Sequence, residues 1–183
     1  MIIVGIDEVG RGCLAGPLVA GAVILSQPIK GLKDSKLLLK KEREKLADVI
    51  RQDALAVGLG WVYPRELDEV GLTQAVRLAM RRALDQINTP YESIIIDGNF
   101  NFLADLSNCQ VVIKADASVP AVSAASIMAK VARDNYMAEI SADYPNYGFE
   151  KHVGYGTRMH LEMLKLHGAS DLHRRSFRPV REI

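Results

Sequence analysis

Three apolar, strand-like runs in this 183-residue chain each break off at an acid. Ile2-Ile3-Val4-Gly5-Ile6 leads into Asp7-Glu8, Ile94-Ile95-Ile96 into Asp97, and Val111 to Ala115 into Asp116. A carboxylate at the end of a buried strand is costly unless paired, hydrogen-bonded or bound to a metal. Any one of these acids alone reads equally well as a helix cap or turn residue, Asp116 above all; the repetition is what constrains the fold. In sheets with helical crossovers, ligands collect beyond the carboxyl ends of the strands. If the three strands are neighbours, Asp7, Glu8, Asp97 and Asp116 converge. Bare, they would repel and raise one another's pKa. Two divalent cations would neutralise them, and a pair about 3.5–4 Å apart suits in-line phosphoryl displacement. Magnesium fits an all-oxygen site. Adjacent strand residues point to opposite faces, so Asp7 and Glu8 share a metal only if the strand bulges or ends at Asp7.

Directly downstream lies Gly10-Arg11-Gly12. Glycines allow a close backbone approach, and a guanidinium matches a phosphodiester. Bulk properties are those of a soluble globular protein: 49% hydrophobic and 25% charged residues, with length enough for one domain and a real core. No apolar run reaches the roughly 18 residues of a bilayer span, so no membrane partner is expected. The start lacks the basic n-region of a signal peptide, and Cys13 and Cys109 form neither a zinc spacing nor a disulfide framework. A reduced, cytoplasmic monomer is expected. The net charge of +1 gives no argument for a polyanionic partner, but its distribution does. Residues 151–181 carry seven Lys/Arg against two acids, and all four histidines; residues 1–150 carry 16 basic against 19 acidic residues. Such a chain can hold metal in one part and a polyanion in the other, although a solvated terminal helix has the same composition.

The hydrophobic pattern predicts strands over Ile2 to Ile6, Leu18 to Leu25 and Ala54 to Tyr63, paired as hairpins. Helices are expected over 40–52 and 72–87, the second from Leu72, Ala75, Val76, Ala79, Met80, Ala83, Leu84 and Ile87 at helical spacing. Unbroken apolar runs over Ser93 to Asp97 and Gln110 to Lys114 read as strands buried on both faces. A long helix over 119–141 is expected, with Ser118 as its N-cap and Pro120 in its first turn. Its Ala121, Ala124, Ala125 and Ala129 would let it lie close on a sheet. A helix over about 157–167 should end at Gly168. Together these predict a mixed α/β sheet covered by helices.

Asp7-Glu8-Val9-Gly10-Arg11-Gly12 with Leu14-Ala15-Gly16-Pro17 resembles the opening signature of bacterial type 2 ribonuclease H, ribonuclease HII. The resemblance continues in the family's order through Leu32-Lys33-Asp34-Ser35-Lys36, Ile96-Asp97-Gly98, Lys114-Ala115-Asp116, Ala124 to Asp134, His152 to Thr157 and His173 to Phe177. It implies a ribonuclease H-like α/β fold, a mixed five-stranded sheet flanked by helices, forming one catalytic domain over 1–183. Residues 151–183 would be a small, basic helical segment that contributes to substrate binding. It implies a magnesium- or manganese-dependent endonuclease that cuts the RNA strand of RNA–DNA hybrids and cuts duplex DNA 5′ of a single embedded ribonucleotide. Products would end in a 3′-hydroxyl and a 5′-phosphate. By the resemblance, Asp7, Glu8, Asp97 and Asp116 hold metal; Gly10, Arg11 and Gly12 contact the ribose 2′-hydroxyl; Tyr155 packs at the junction; Lys36 contacts phosphate. Ser126 and Lys130 are further phosphate candidates, and Asp134 is expected to pair with Lys130 or Arg133. Arg174, Arg175 and Arg178 could track the DNA backbone, and surface roles are expected for His152, His160 and His167. Cys13 stands where the family commonly has proline, and Leu37-Leu38-Leu39 where it more often has Lys-Leu-Ser. No clamp-binding tail precedes Ile183. A silent hybrid-binding protein and another nuclease of the same fold, such as a junction resolvase or type 3 ribonuclease H, are the competing readings; the four acids and the early Asp7 speak against them.

Overall fold

In the computed structural model, residues 1–32, 35 and 38–183 are described. Five strands form one sheet: β1 Ile3–Val9, β2 Leu18–Leu25, β3 Ala54–Val62, β4 Ser93–Asp97 and β5 Cys109–Val112, in the spatial order β3-β2-β1-β4-β5. β1 and β2 pair antiparallel, as do β2 and β3, even though helix α1 (Lys40–Asp53) intervenes in the chain. β4 joins β1, and β5 joins β4, in parallel. The expected mixed sheet is therefore present, with its parallel half on the β1-β4-β5 side.

Helices cover both faces. α2 (Pro64–Val70) leads into α3 (Leu72–Leu84), whose Ala75, Val76, Ala79, Met80 and Ala83 pack with Val4, Ile6, Leu18, Ile94 and Ile96 in the largest core cluster. On the other face lies α5 (Pro120–Ile140), preceded by the single turn α4 (Ala115–Ser118). Its alanines do allow close packing. A Cβ at Gly5 would strike the backbone of Ala121 and Val122, and one at Gly21 the carbonyl of Ala125. Gly21→Ala should therefore lower the unfolding free energy by about 2 kcal/mol, read in urea denaturation, because the helix backbone cannot yield as a side chain would.

Several boundaries differ from expectation. β1 does not stop at Ile6: it pairs with β2 as far as Val9↔Val19, without a bulge. β5 ends at Val112, because Lys114 adopts a left-handed conformation (φ 57°, ψ 38°) that turns the chain into α4. Asp116 thus sits on a helical turn, not at a strand end. Ser118 closes that turn; the N-cap of α5 is Val119, without a side-chain cap. The last segment folds as α6 (Phe149–His152), α7 (Arg158–His167) and α8 (Arg178–Arg181). α7 is capped by Thr157 and closes at Gly168 (φ 76°), where its sequence places the end. No helix among the described residues is long and apolar enough to cross a membrane.

Candidate active site

Register decides which acids meet. β1 and β4 pair in parallel with Ile6 opposite Ile96, so the next residues, Asp7 and Asp97, leave neighbouring strands side by side. The alternation that sends Ile6 and Ile96 into the α3 face sends these two toward α4 and α5. Asp116 arrives from α4, and one carboxylate oxygen each from Asp7, Asp97 and Asp116 lie within 4.8 Å of one another. Glu8 stands outside this trio. Because β1 stays regular, its side chain leaves by the opposite face, 3.7 Å from the Arg11 guanidinium.

The trio is held from behind. Asp7 Oδ1 accepts the Glu8 backbone N–H at 2.8 Å, and the Ser126 hydroxyl of α5 donates to the same carboxyl. Ser126 Oγ lies 2.9 Å from Ser35 Oγ, so the two hydroxyls form a short chain ending at Asp7. Asp97 Oδ1 accepts the Ala115 N–H at 2.7 Å, which ties β4 to the turn that carries Asp116. Ser123 of α5 donates to the Asp116 carbonyl at 2.5 Å, locking α4 onto α5. Burial, then the charges of Glu8 and Asp97, push the Asp7 carboxyl up to about 8 against the hydrogen bond from Ser126. A buried carboxylate that resists ionisation beside two others is the electrostatic setting a hard divalent cation resolves, and every donor is oxygen. The residues present fit such an ion.

The Gly10 to Pro17 loop is fixed by two buried arginines. Arg133 of α5 donates to Pro17 O from Nε (2.8 Å), to Val153 O from Nη1 (2.8 Å) and to Ala15 O from Nη2 (3.1 Å). Arg174 donates to Gly16 O from Nε and Nη2 (3.1 and 3.0 Å) and to Arg11 O from Nη1 (3.1 Å). Arg174 therefore does not track a nucleic-acid backbone; it is fully buried and braces the glycine loop from inside. Arg178 does lie at the surface, paired with Glu182. Gly10 (φ 87°) needs its missing side chain, since a Cβ would meet Arg133 Nε, whereas a Cβ on Gly12 would meet nothing within 4 Å.

Arg133 joins the loop to the Tyr155 turn, where Gly154 O also accepts Leu14 N–H at 2.8 Å. Tyr155 is 39% exposed, with Lys130 Nζ 5.6 Å and the Arg133 guanidinium 5.8 Å from its ring centroid. Cys13 is buried against the tyrosine side chain rather than loosening the loop. Lys130 Nζ pairs with Asp134 at 2.8 Å, the expected partner, while Arg133 is committed to carbonyls. Lys36 lies outside the described residues.

His152 and His160, expected at the surface, are buried, as is His173, whereas His167 is exposed as expected. Burial lowers the pKa of His160, and burial with the neighbouring His160 brings His173 down to about 4. His152, Arg175 and Ser170 also face His173, and Tyr147 and Phe149 pack against its ring. The unfolded chain titrates near the ordinary 6.5 and so binds more protons below that pH. Stability present above pH 6.5 should drain away as pH falls toward 4. Because Asp7 titrates with the opposite sign over the same window, the check is a comparison: on acidification from pH 6.5 to 4 the melting temperature should drop more, or rise less, in the parent than in His173→Gln.

The sequence profile of the Ribonuclease HII family matches residues 4–180. Ribonuclease HII of Dechloromonas aromatica (strain RCB) is 47% identical over 181 residues, spanning 98% of this chain and 92% of that protein. Among solved structures, the ribonuclease H2 of Pyrococcus horikoshii OT3 has a TM-score of 0.86 at 28% identity, covering 100% of this chain and 96% of its own. The PCNA:RNase HII complex of Archaeoglobus fulgidus includes a chain with a TM-score of 0.80 at 27% identity, covering 97% of this chain and 96% of its own. With likeness running from β1 to the last helix in both sequence and structure, this chain belongs to the ribonuclease HII family and is a ribonuclease H enzyme.

Proposed function

We propose that the protein hydrolyses the RNA strand of RNA–DNA hybrids and cuts duplex DNA on the 5′ side of a single embedded ribonucleotide, using Mg2+ or Mn2+. The observation that carries this reading is the clustering of Asp7, Asp97 and Asp116 within 4.8 Å beside a loop that Arg133 ties to the Tyr155 turn and Arg174 braces from inside. Asp7, Asp97 and Asp116, with Glu8 reaching in from the other face of β1, would hold one or two cations. When bound, these supply Lewis acidity at the scissile phosphate and an activated water. The chain itself fixes the carboxylates through Ser126, the Glu8 N–H and the Ala115 N–H. No side-chain nucleophile is needed.

Telling RNA from DNA at one nucleotide requires detecting the 2′-hydroxyl, which both donates and accepts a hydrogen bond. Gly10, Arg11 and Gly12 present backbone groups and a cation for that contact, and Tyr155 packs on the sugar or base. Lys36, Lys130, Arg175 and the exposed basic residues of 151–183 contact phosphate, making 1–183 one catalytic unit. The protein acts as a monomer in the cytoplasm. Gly12 supplies a clean test of the loop's role. Gly12→Ala meets no protein atom, so melting should not change, while cleavage should fall at least about tenfold (about 1.4 kcal/mol) if substrate approaches there.

The reaction type is tested by the ends it leaves. An RNA strand annealed to DNA, incubated with protein and magnesium or manganese, should yield 3′-hydroxyl and 5′-phosphate termini. Termini carrying a 2′,3′-cyclic phosphate would mean attack by the ribose hydroxyl itself, and the hydrolytic reading would fail.

A further inference from the structure

Three of the four histidines touch one another beside the Tyr155 turn. The His152 and His160 rings stack at 4.4 Å between centroids, 15° apart, and His160 Nε2 lies 3.0 Å from His173 Nε2. Their hydrogen bonds run in one direction. His173 Nδ1 lies 3.0 Å from the backbone N–H of Ser170 and 2.8 Å from the Ser170 hydroxyl; the hydroxyl can donate or accept, but an amide N–H can only donate, so Nδ1 accepts. A neutral imidazole that accepts at Nδ1 carries its proton on Nε2. His173 therefore donates to His160 Nε2, and the proton of His160 must sit on Nδ1. That atom is 2.9 Å from the Tyr155 carbonyl oxygen, which can only accept. Starting from the carbonyl end gives the same assignment. His152 has its own fixed sense, accepting Gly154 N–H at Nδ1 (3.3 Å) and donating from Nε2 to Tyr147 O (2.8 Å).

The turn that this chain of bonds reaches is held only in part by its own backbone, through Val153 N–H to Phe149 O and Thr157 N–H to Tyr155 O, both 2.8 Å. Val153 is β-branched and sits at φ 43°, and Gly154 follows at φ 85°. A β-branched residue in the left-handed region persists only where its surroundings impose it. Arg133 holds the Val153 carbonyl, the Tyr155 N–H bonds His152 O at 2.9 Å, and His160 holds the Tyr155 carbonyl. Two planar rings in series span from Ser170 to Tyr155, and the last of them presents an N–H to the Tyr155 carbonyl.

The geometry points to His160 and His173 as positioning residues for ribonucleotide recognition: their polarised chain from Ser170 fixes the Tyr155 backbone, and with it the ring that meets the junction sugar. This rests on the role given to Tyr155 above. It goes beyond that role in assigning work to residues that touch no substrate.

Two measurements test it. Histidine-labelled 15N spectra of the intact protein at pH 7.5 should show His160 protonated at Nδ1, and His173 and His152 at Nε2; any other pattern for His160 or His173 overturns the chain of bonds. Kinetics on duplex DNA with one ribonucleotide then test its purpose. His160→Leu should lower kcat/KM at least about tenfold. His160→Asn, whose amide N–H falls where Nδ1–H was, should stay within about threefold of the parent. In a Tyr155→Ala background, His160→Leu should remove less than about a further twofold. Equal losses in the leucine and asparagine variants, or losses that multiply with Tyr155→Ala, would reduce the histidines to ordinary packing and overturn the inference. If Tyr155→Ala alone cuts like the parent, the role of Tyr155 itself fails, and the positioning inference falls with it.

Discussion

Asp7→Asn should reduce cleavage of an RNA–DNA hybrid at least about a thousandfold, some 4 kcal/mol of transition-state stabilisation, without lowering the melting temperature of the metal-free protein. The two halves of this result have one cause. Folding buries the Asp7 carboxyl next to Glu8 and Asp97, and its pKa rises from the ordinary 3.8 to about 8. Between those values the folded state binds more protons than the unfolded chain, so this group makes stability fall as pH rises through the window. Asparagine keeps the shape and carries no charge, so the variant should lose that dependence and, near pH 8, melt higher than the parent. A divalent cation should reverse the order. Magnesium or manganese stabilises whatever binds it in the native state by mass action, and the parent keeps a ligand that the variant lacks. Melting curves across a cation titration, with initial rates on the same samples, check both halves. A variant that melts far below the parent without metal would mean Asp7 is there for structure.

The second large effect concerns stability. Arg133→Met should cost about 3–5 kcal/mol in urea unfolding, and Arg133→Lys nearly as much. The guanidinium satisfies three carbonyls, Pro17, Val153 and Ala15, that belong to two different segments. Each buried carbonyl left without a donor costs about 1–3 kcal/mol. Against this stands the relief of unburying a charge that, among the described residues, has no carboxylate partner. Three carbonyls outweigh that relief, since methionine offers none of them a proton. Lysine retains the charge but not the planar fork, so it cannot reach three acceptors at once. A lysine variant as stable as the parent would show that charge, not geometry, is what the site needs.

Much of the sheet was legible in the sequence because its apolar runs match strands buried beneath helices on both faces. Asp7 and Asp97 were legible for the same reason: each is the first charge after such a run. Asp116 was found by a mistaken route. The run Val111 to Ala115 stays largely apolar across a turn, and the break comes from Lys114 taking a positive φ, which a lysine side chain does not announce. The bulge or strand end expected to bring Asp7 and Glu8 to one ligand is absent, since β1 keeps its pleat to Val9.

The arginines and histidines were harder. A buried charge is interpretable only with its acceptors, and those of Arg133 lie over a hundred residues away in sequence at Pro17 and Ala15. One signal was available. Arg133 continues the four-residue spacing of Ala125, Ala129 and Met137, so it occupies the buried stripe of α5. A long polar side chain in such a stripe must find partners inside. The histidines carried no comparable mark, because their order depends on the fold of the final segment around Phe149 and Tyr147.

The most direct measurement uses a labelled DNA duplex containing one ribonucleotide, beside an all-DNA duplex of the same sequence, with magnesium or manganese and with a chelator. Cutting should occur only in the first duplex, on the 5′ side of the ribonucleotide, and should stop when the cation is removed. Equal cutting of both duplexes, or cutting that survives the chelator, would contradict metal-dependent hydrolysis directed by the ribose hydroxyl.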